Sequence, residues 1–137
     1  MSDELYQARI VALAKSKTGA GKLASPTRSA RRDNPLCGDR VTIDVKVEGG
    51  KIAEIAHQVR GCLLCQASAV ALASTAVGRD AAGVAELRHD AERAIGRESG
   101  KAHDPFDAFE PVANHKARHE CVLLPFEALK DALNPSS

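Results

Sequence analysis

The sequence predicts an α+β domain in which an antiparallel strand hairpin packs against helices. Apolar and polar side chains alternate over residues 41–47, and a second strand-like segment follows a glycine turn, as in a hairpin with one buried face. Residues 63–77, 79–96 and 122–133 instead place apolar side chains at helical spacing. At 137 residues the chain can build one hydrophobic core, so residues 1–137 are predicted to form a single domain.

Charge and composition argue against nucleic acid and membrane partners. The 19 basic and 18 acidic side chains give a net charge of +1, and aromatic residues make up only 3%, so base-stacking platforms are nearly absent. Residues 1–60 carry 11 Lys/Arg and 7 Asp/Glu, whereas residues 61–137 carry 8 and 11. A basic face near the first cysteine could meet an acidic partner, but an asymmetry this small does not decide it.

The N-terminal residues predict a cytoplasmic protein. Met1-Ser2-Asp3-Glu4 is acidic where a signal peptide is basic, and no apolar run approaches the length of a membrane span. In a reducing compartment, four cysteines indicate metal ligands or redox thiols before structural disulfides.

The first third of the chain predicts a helix and then a loop. Residues 3 to about 16 place Tyr6, Ile10 and Leu13 on one helical stripe. From residue 15 to residue 32 the composition turns to Lys, Ser, Thr, Gly and Arg, which predicts a loop carrying at most a short edge strand.

The hairpin follows directly. Val41, Ile43, Val45 and Val47 alternate with polar residues, and residues 48–51 contain two glycines that supply the turn. The second strand breaks strict alternation between residues 52 and 55, which predicts a bulge near residues 53 and 54.

Helices are predicted for most of the second half. Residues 63–77 are predicted to be helical, and residues 79–96 are predicted to form an amphipathic helix with Asp90 on its outer side. The residues on one broad stripe of the first helix are Leu63, Ala67, Val70, Ala71, Ser74 and Val77. Residues 97–116 are broken by glycine and proline, and two phenylalanines pin this connection onto the core. The last helix covers about 122–133, where Pro125 is tolerable only within the first turn.

The cysteines cluster where helices begin. Cys62 directly precedes the helix predicted at residue 63, Cys65 lies in its first turn, and Cys121 precedes the last helix. Backbone N–H groups and the helix dipole at these positions favour a thiolate over a thiol.

Four residues form a candidate metal site. Cys37, Asp39, Cys62 and Cys121 supply three sulfurs and one oxygen, a donor set that suits zinc, and Cys65 or His119 could replace Asp39 as the fourth ligand. Two other interpretations stay open at this point. The cysteines could be small buried hydrophobes, or Cys62 and Cys65 could form a thioredoxin-like redox pair, although an antiparallel hairpin stands upstream where that fold needs a parallel strand.

Three short motifs resemble one known family. They are Asn34-Pro35-Leu36-Cys37-Gly38-Asp39, Gly61-Cys62 followed by Ala67-Ser68, and Arg118-x-x-Cys121. From Leu5 to Leu133 the chain resembles the NifU N-terminal, IscU and SufU family of iron–sulfur cluster assembly proteins.

The resemblance implies a fold, a metal and a partner. The fold is α+β with a three-stranded antiparallel sheet packed against helices, and zinc is held by Cys37, Asp39, Cys62 and Cys121. SufU-like proteins accept persulfide sulfur from a SufS-like, pyridoxal-phosphate cysteine desulfurase and stimulate it. Cys37 is then the sulfur acceptor, released from zinc when the partner docks, and Arg118 guides the site electrostatically.

Within the family the chain is more similar to the SufU branch. The second and third motif cysteines are 59 positions apart (121 minus 62), Glu120 stands where IscU-type proteins carry histidine, and a Leu-Pro-Pro-Val-Lys chaperone motif is missing. Cys65 stands where the SufU-type motif usually has serine. It could be an alternative ligand, a persulfide relay or an isosteric exchange for serine, and the isosteric exchange is the simplest explanation.

Three functions follow as hypotheses. The first is a zinc-bound sulfur acceptor, a sulfurtransferase that works with the desulfurase. The second is a scaffold on which a 2Fe–2S cluster or transient iron is held by the same ligands and passed to apo iron–sulfur proteins. The third is a dithiol redox protein that uses Cys62 and Cys65.

Overall fold

The computed structural model describes residues 8–35 and 38–134. The elements follow in the order α1 (Ala8–Ser16), β1 (Arg28–Asn34), β2 (Asp39–Glu48), β3 (Lys51–Arg60), α2 (Leu63–Ala76), α3 (Ala81–Ala94), two 3₁₀ helices (Phe106–Asn114 and Lys116–Arg118) and α4 (His119–Leu133). In this part of the chain no helix is long and apolar enough to cross a membrane.

The described strands form an antiparallel sheet of order β1-β2-β3, as the family resemblance implies. Val41, Ile43 and Val45 of β2 are buried on the inner face, which confirms the alternation seen in the sequence. Helices α2 and α4 pack on this face, and α1 packs against α2. The predicted α+β architecture is therefore correct.

Strand β1 is longer than the sequence predicted. Residues 15–32 were expected to hold at most a short edge strand, but β1 runs for seven residues and continues to Asn34. It has no apolar alternation because α4 supplies its contacts: Arg32 pairs with Asp131 at 2.5 Å, and Arg28 donates to the carbonyl of Leu133 at 3.1 Å. Tertiary ion pairs replace the apolar face that the pattern would require.

The β2–β3 hairpin matches its prediction closely. Gly49 and Gly50 have φ values of 60° and 78°, the positive values of a two-residue type I′ turn. The register shifts beside this turn, where Lys46 pairs with Glu54 but Val47 pairs with Ile52. Ala53 is therefore the extra residue of a β-bulge, as the sequence predicted.

Helix α2 is buried on nearly all sides, and the single stripe predicted for it is wrong. Ser74 and Val77, assigned to the stripe, are exposed, with Val77 55% accessible. Leu64, Ser68 and Leu72, outside the stripe, are buried. Because α1, α4 and β3 all pack against α2, apolar side chains are needed around most of this helix and not along one stripe.

The region around α3 contains a second correction. The predicted apolar face of α3 is buried, but Asp90, predicted to face outward, is only 7% exposed. Its carboxylate accepts hydrogen bonds from the backbone N–H of His103 at 2.9 Å and from Arg93 at 3.0 Å. These bonds fasten the connection that leads to Phe106 and Phe109, both buried as predicted.

Helix α4 begins three residues earlier than expected, so Pro125 is its seventh residue and lies beyond the first turn. The expectation that Pro125 must sit in the first turn is wrong. Pro125 has no N–H to offer the carbonyl of Cys121. Burial of nearly every residue from Cys121 to Leu129 outweighs that loss.

One irregular segment crosses the face of the sheet opposite the helices. The backbone N–H groups of Gly21, Leu23 and Thr27 donate to the His57 carbonyl, the Asp44 carboxylate and the Val45 carbonyl, at 2.8, 3.2 and 2.8 Å. Residues 21–27, called the strap below, therefore pass from β3 to β1 over the middle of this outer face. The strap leaves the end of the sheet beside Arg40 and Arg60 uncovered.

Candidate metal centre

Three of the predicted ligands converge in the structure. Asp39, Cys62 and Cys121 each offer one ligand atom, and these atoms lie within 4.8 Å of one another. Asp39 is the first residue of β2, Cys62 is the N-cap of α2 directly after β3, and Cys121 lies in the first turn of α4. The β2–β3 hairpin places Asp39 and Cys62 side by side, and packing of α4 on the sheet places Cys121 next to them.

Asp39 is buried and hydrogen-bonded, although acidic side chains are usually exposed. The residue is 3% exposed, its Oδ1 accepts a hydrogen bond from the backbone N–H of Cys62 at 3.2 Å, and its Oδ2 lies 3.4 Å from Cys62 Sγ. The carboxylate occupies space that Gly61 leaves open, because a Cβ at position 61 would come within 2.5 Å of Oδ1. Gly61 is therefore required by the contact with Asp39.

Cys62 is the activated thiol of the described group. The pKa of Cys62 is lowered to about 7, mainly by a hydrogen bond from Cys121 and also by the backbone N–H of Cys65, against the opposing effect of burial. The Asp39 carboxylate acts in the other direction and raises this pKa. The N–H of Cys65 belongs to the first turn of α2, so the N-terminus of this helix favours the thiolate form of Cys62.

Cys121 is fully buried, and a serine that the sequence analysis gave no role secures its position. Ser68 of α2, itself 0% exposed, donates from Oγ to the carbonyl of Val122 at 2.5 Å. This bond ties the helix that begins at Cys62 to the helix that carries Cys121. A serine inside the apolar segment 63–77 was the signal that could have revealed it.

Cys37 lies outside the described residues, so its predicted role stays a prediction. The chain on either side of it borders the centre: Pro35 and Gly38 line an open groove together with Asp39 and Cys62. Gly38 has a φ of 75° and its N–H bonds the carbonyl of Asn34 at 2.8 Å. The described ends of this loop are thus directed at the centre.

The two predicted alternates to Asp39 are engaged elsewhere. Cys65 is 0% exposed and packs in the hydrophobic core. His119 accepts at Nδ1 from Arg97 at 3.3 Å, and its Nε2 lies 3.2 Å from the carbonyl of Val112, to which it donates. Neither residue belongs to the group formed by Asp39, Cys62 and Cys121 among the described residues.

Arg118 is the N-cap residue of α4 and is partly buried. It lies three positions before Cys121, and its backbone N–H bonds the carbonyl of His115 at 2.8 Å. The predicted electrostatic role of its side chain stays a prediction.

The donor atoms fit zinc. Two sulfurs and a carboxylate oxygen form three corners of the mixed donor set that tetrahedral zinc accepts, and a spacing below 4.8 Å is compatible with Zn–S bonds of about 2.3 Å. Thiolates also hold the irons of 2Fe–2S clusters, so the same atoms fit either occupant.

Comparison with known proteins identifies the family. The NifU-like N-terminal domain matches residues 5–133. The chain belongs to this family. A crystal structure of the N-terminal part of a nitrogen-fixing NifU-like protein from Brucella abortus superimposes with a TM-score of 0.87 at 31% identity, covering 99% of both chains.

Two relatives of this NifU-like domain have functional names. The iron–sulfur cluster assembly scaffold protein IscU of Thermotoga maritima is 30% identical over 136 residues, covering 97% of this chain and 95% of the relative. The zinc-dependent sulfurtransferase SufU of Bacillus subtilis is 27% identical over 103 residues, covering 72% of this chain and 69% of that protein.

Proposed function

We propose that this chain is an iron–sulfur cluster assembly protein that binds zinc and accepts sulfur from a cysteine desulfurase. The observation that carries the proposal is the convergence of one carboxylate and two thiols, from three separate elements, beside an open groove. The proposed ligands are Cys37, Asp39, Cys62 and Cys121, with Cys37 as the sulfur acceptor.

The proposed chemistry is thiol–persulfide exchange. The Cys37 thiolate attacks the terminal sulfur of the donor's persulfide, a bond forms between that sulfur and Cys37 Sγ, and the donor's sulfur–sulfur bond breaks. The donor cysteine leaves as a thiolate, so no external oxidant or reductant is needed. Bound zinc supplies thiolate stabilisation at neutral pH.

The described residues have separate tasks in this proposal. Cys62 and Cys121 offer buried sulfurs, and the hydrogen bond between them already favours one negative charge. Asp39 contributes a harder, oxygen ligand, fixed by the N–H of Cys62.

Metal content tests the proposal. We expect about one zinc per chain in the purified protein and a clear loss in Asp39→Ala, measured by inductively coupled plasma mass spectrometry. Asp33→Ala is the matched control, because Asp33 is an exposed aspartate that pairs with Arg40 on the same sheet and lies outside the donor group. Equal zinc in both variants contradicts the proposed site.

Sulfur transfer tests the acceptor. Cys37→Ala should abolish persulfide formation on the chain after incubation with desulfurase and cysteine while the protein stays folded. Persulfides are counted by alkylation and mass spectrometry of the intact chain. Full sulfur transfer in Cys37→Ala rules Cys37 out as the acceptor.

A cluster scaffold is the second candidate, favoured by the name of the Thermotoga maritima relative and by the two converging thiols. Anaerobic reconstitution with iron and sulfide separates the two candidates. A stoichiometric cluster that transfers to an apo-protein supports the scaffold, whereas tightly held zinc that blocks reconstitution supports the sulfur acceptor.

The dithiol redox hypothesis has less support. Cys65 is fully buried, and the hydrogen bond with the largest effect on the pKa of Cys62 comes from Cys121. An exchange reaction needs access to the second thiol. We expect no activity in an insulin-reduction assay.

A further inference from the structure

Three arginines gather on the outer face of the sheet, directly beside the metal centre. In the register of the sheet, Arg40 of β2 lies opposite Asp33 of β1 and opposite Arg60 of β3. Arg31 of β1 lies opposite Thr42, two residues further along β2 on the same face. Since Val41, Ile43 and Val45 face the helices, Arg40 and its cross-strand partners face away from them. We call Arg31, Arg40 and Arg60 the basic face.

The strap leaves this face open. At mid-sheet the outward residue Ala56 is only 5% exposed, because residues 21–27 pass over it. Arg31 and Arg60 lie on the uncovered side of the strap and are exposed. Arg40 and Arg60 line the same open groove as Asp39 and Cys62, so a molecule bound on the basic face also borders the centre.

The charge on this face is poorly compensated. Arg40 pairs with Asp33 at 2.9 Å, but among residues 8–35 and 38–134 neither Arg31 nor Arg60 makes a side-chain hydrogen bond or ion pair. Arg40 and Arg60 stand directly opposite each other, and like charges in that position destabilise a sheet. The placement of Arg40 opposite Arg60 therefore does not stabilise the fold, but it suits the binding of an anionic partner.

We propose that the basic face is the docking surface for an acidic patch on the sulfur-donor protein. The inference rests on the proposed function for the identity of that partner, and on the structure for the position of the surface and for its positive charge. A protein fits better than a polyanion, because three arginines with Asp33 beside Arg40 form a small patch of mixed charge. Nucleic acids bind to longer, uniformly basic stripes.

Charge reversal tests the docking. Arg60→Glu is compared with Lys51→Glu, an identical charge change on the same strand at the far, hairpin end, and with Arg60→Lys, which keeps the charge. The probe is the purified cysteine desulfurase of the same organism, and association rates are measured by biolayer interferometry at low and high salt.

We expect Arg60→Glu to lower the association rate constant about tenfold at low salt, with the difference vanishing at high salt. Lys51→Glu and Arg60→Lys should stay within about twofold of the unmodified chain. Equal rates for Arg60→Glu and Lys51→Glu overturn the inference. So does absence of binding by the unmodified chain, or binding of a DNA duplex or anionic vesicles in its place.

A separate assay keeps the proposed function distinguishable. Sulfur uptake by the unmodified chain from inorganic polysulfide needs no docking protein. If uptake fails while Arg60→Glu still slows desulfurase binding, the function is wrong and the docking surface stands. If uptake succeeds and the arginine variants bind alike, the docking surface is wrong and the function stands.

Discussion

The carboxylate of Asp39 lies where the side chain of any residue other than glycine would start at position 61. A Cβ there would stand 2.5 Å from Oδ1 and 2.6 Å from Cγ of Asp39. The two residues are adjacent across the end of the β2–β3 ladder. The Asp39 carboxylate can therefore occupy its position only because residue 61, directly after β3, has no Cβ.

Gly61→Ala should weaken zinc binding. The added methyl group displaces the Asp39 carboxylate and breaks its bond to the Cys62 N–H, so we expect about a 10- to 100-fold lower affinity. Competition with a chromophoric chelator measures it. Gln58→Ala, an exposed change on the same strand, should keep the original affinity, and unchanged affinity in Gly61→Ala contradicts the steric argument.

The pKa of Cys62 should depend on Cys121. In the metal-free protein, alkylation of Cys62 should rise as the pH passes about 7, because the thiolate is the reactive form. Cys121→Ala removes the hydrogen bond, so the midpoint should move toward the ordinary cysteine value. Cys121→Ser keeps a donor and should restore most of the lowering.

Peptide mass spectrometry after timed iodoacetamide treatment reports the alkylation of Cys62 alone. A midpoint that is the same in the unmodified chain and in Cys121→Ala would show that another group sets the pKa.

His119→Ala should reduce stability and keep the metal. His119 is 5% exposed, and its removal deletes the Nε2–H hydrogen bond to the Val112 carbonyl, which keeps only the N–H of His115 at 2.8 Å, so we expect a loss of about 0.5–1.5 kcal/mol. Urea unfolding measures the loss, and zinc content should be unchanged. His89→Ala, at an exposed histidine, is the control. Loss of zinc from His119→Ala alone would restore histidine as a ligand.

Asp90→Asn should destabilise the protein in a pH-dependent way. Although burial raises the pKa of Asp90, hydrogen bonds from His103 and Arg93 outweigh it and the net pKa is lowered. A lowered folded-state pKa contributes stability above the unfolded value near 3.8, and that contribution is lost as pH falls through the folded pKa.

The stability difference between the unmodified chain and Asp90→Asn should therefore be largest near neutral pH and shrink below about pH 4. Urea unfolding at several pH values measures it, with the exposed Glu86→Gln as control. A difference that does not change with pH would mean that the carboxylate's charge is not what matters.

Local pattern was sufficient for the hairpin and its irregularity. The alternation through Val41, Ile43 and Val45 and the step from Ile52 to Ile55 are properties of neighbouring residues, and strand geometry converts them directly into structure. The first strand could not be found this way, because the side-chain contacts that hold it come from α4, about a hundred positions later.

The candidate site was predictable in its members more than in its arrangement. Residue chemistry and helix starts pointed to Asp39, Cys62 and Cys121, which the structure brings together. Residue types alone do not separate these three from Cys65 and His119, since the direction of a side chain in the first turn of a helix depends on how that helix packs. Cys65 packs in the hydrophobic core, and the imidazole of His119 is hydrogen-bonded to the carbonyl of Val112.

The distance along the chain between the donors has a consequence for how the protein matures. Asp39 and Cys121 are 82 positions apart, so an ion held by both closes a loop of more than half the chain. In an unfolded chain such a loop is improbable, and the entropy of closing it opposes metal capture. Metal loading would therefore report that β2, α2 and α4 have already docked, and a chelator would lower the melting temperature as removal of a cross-link does.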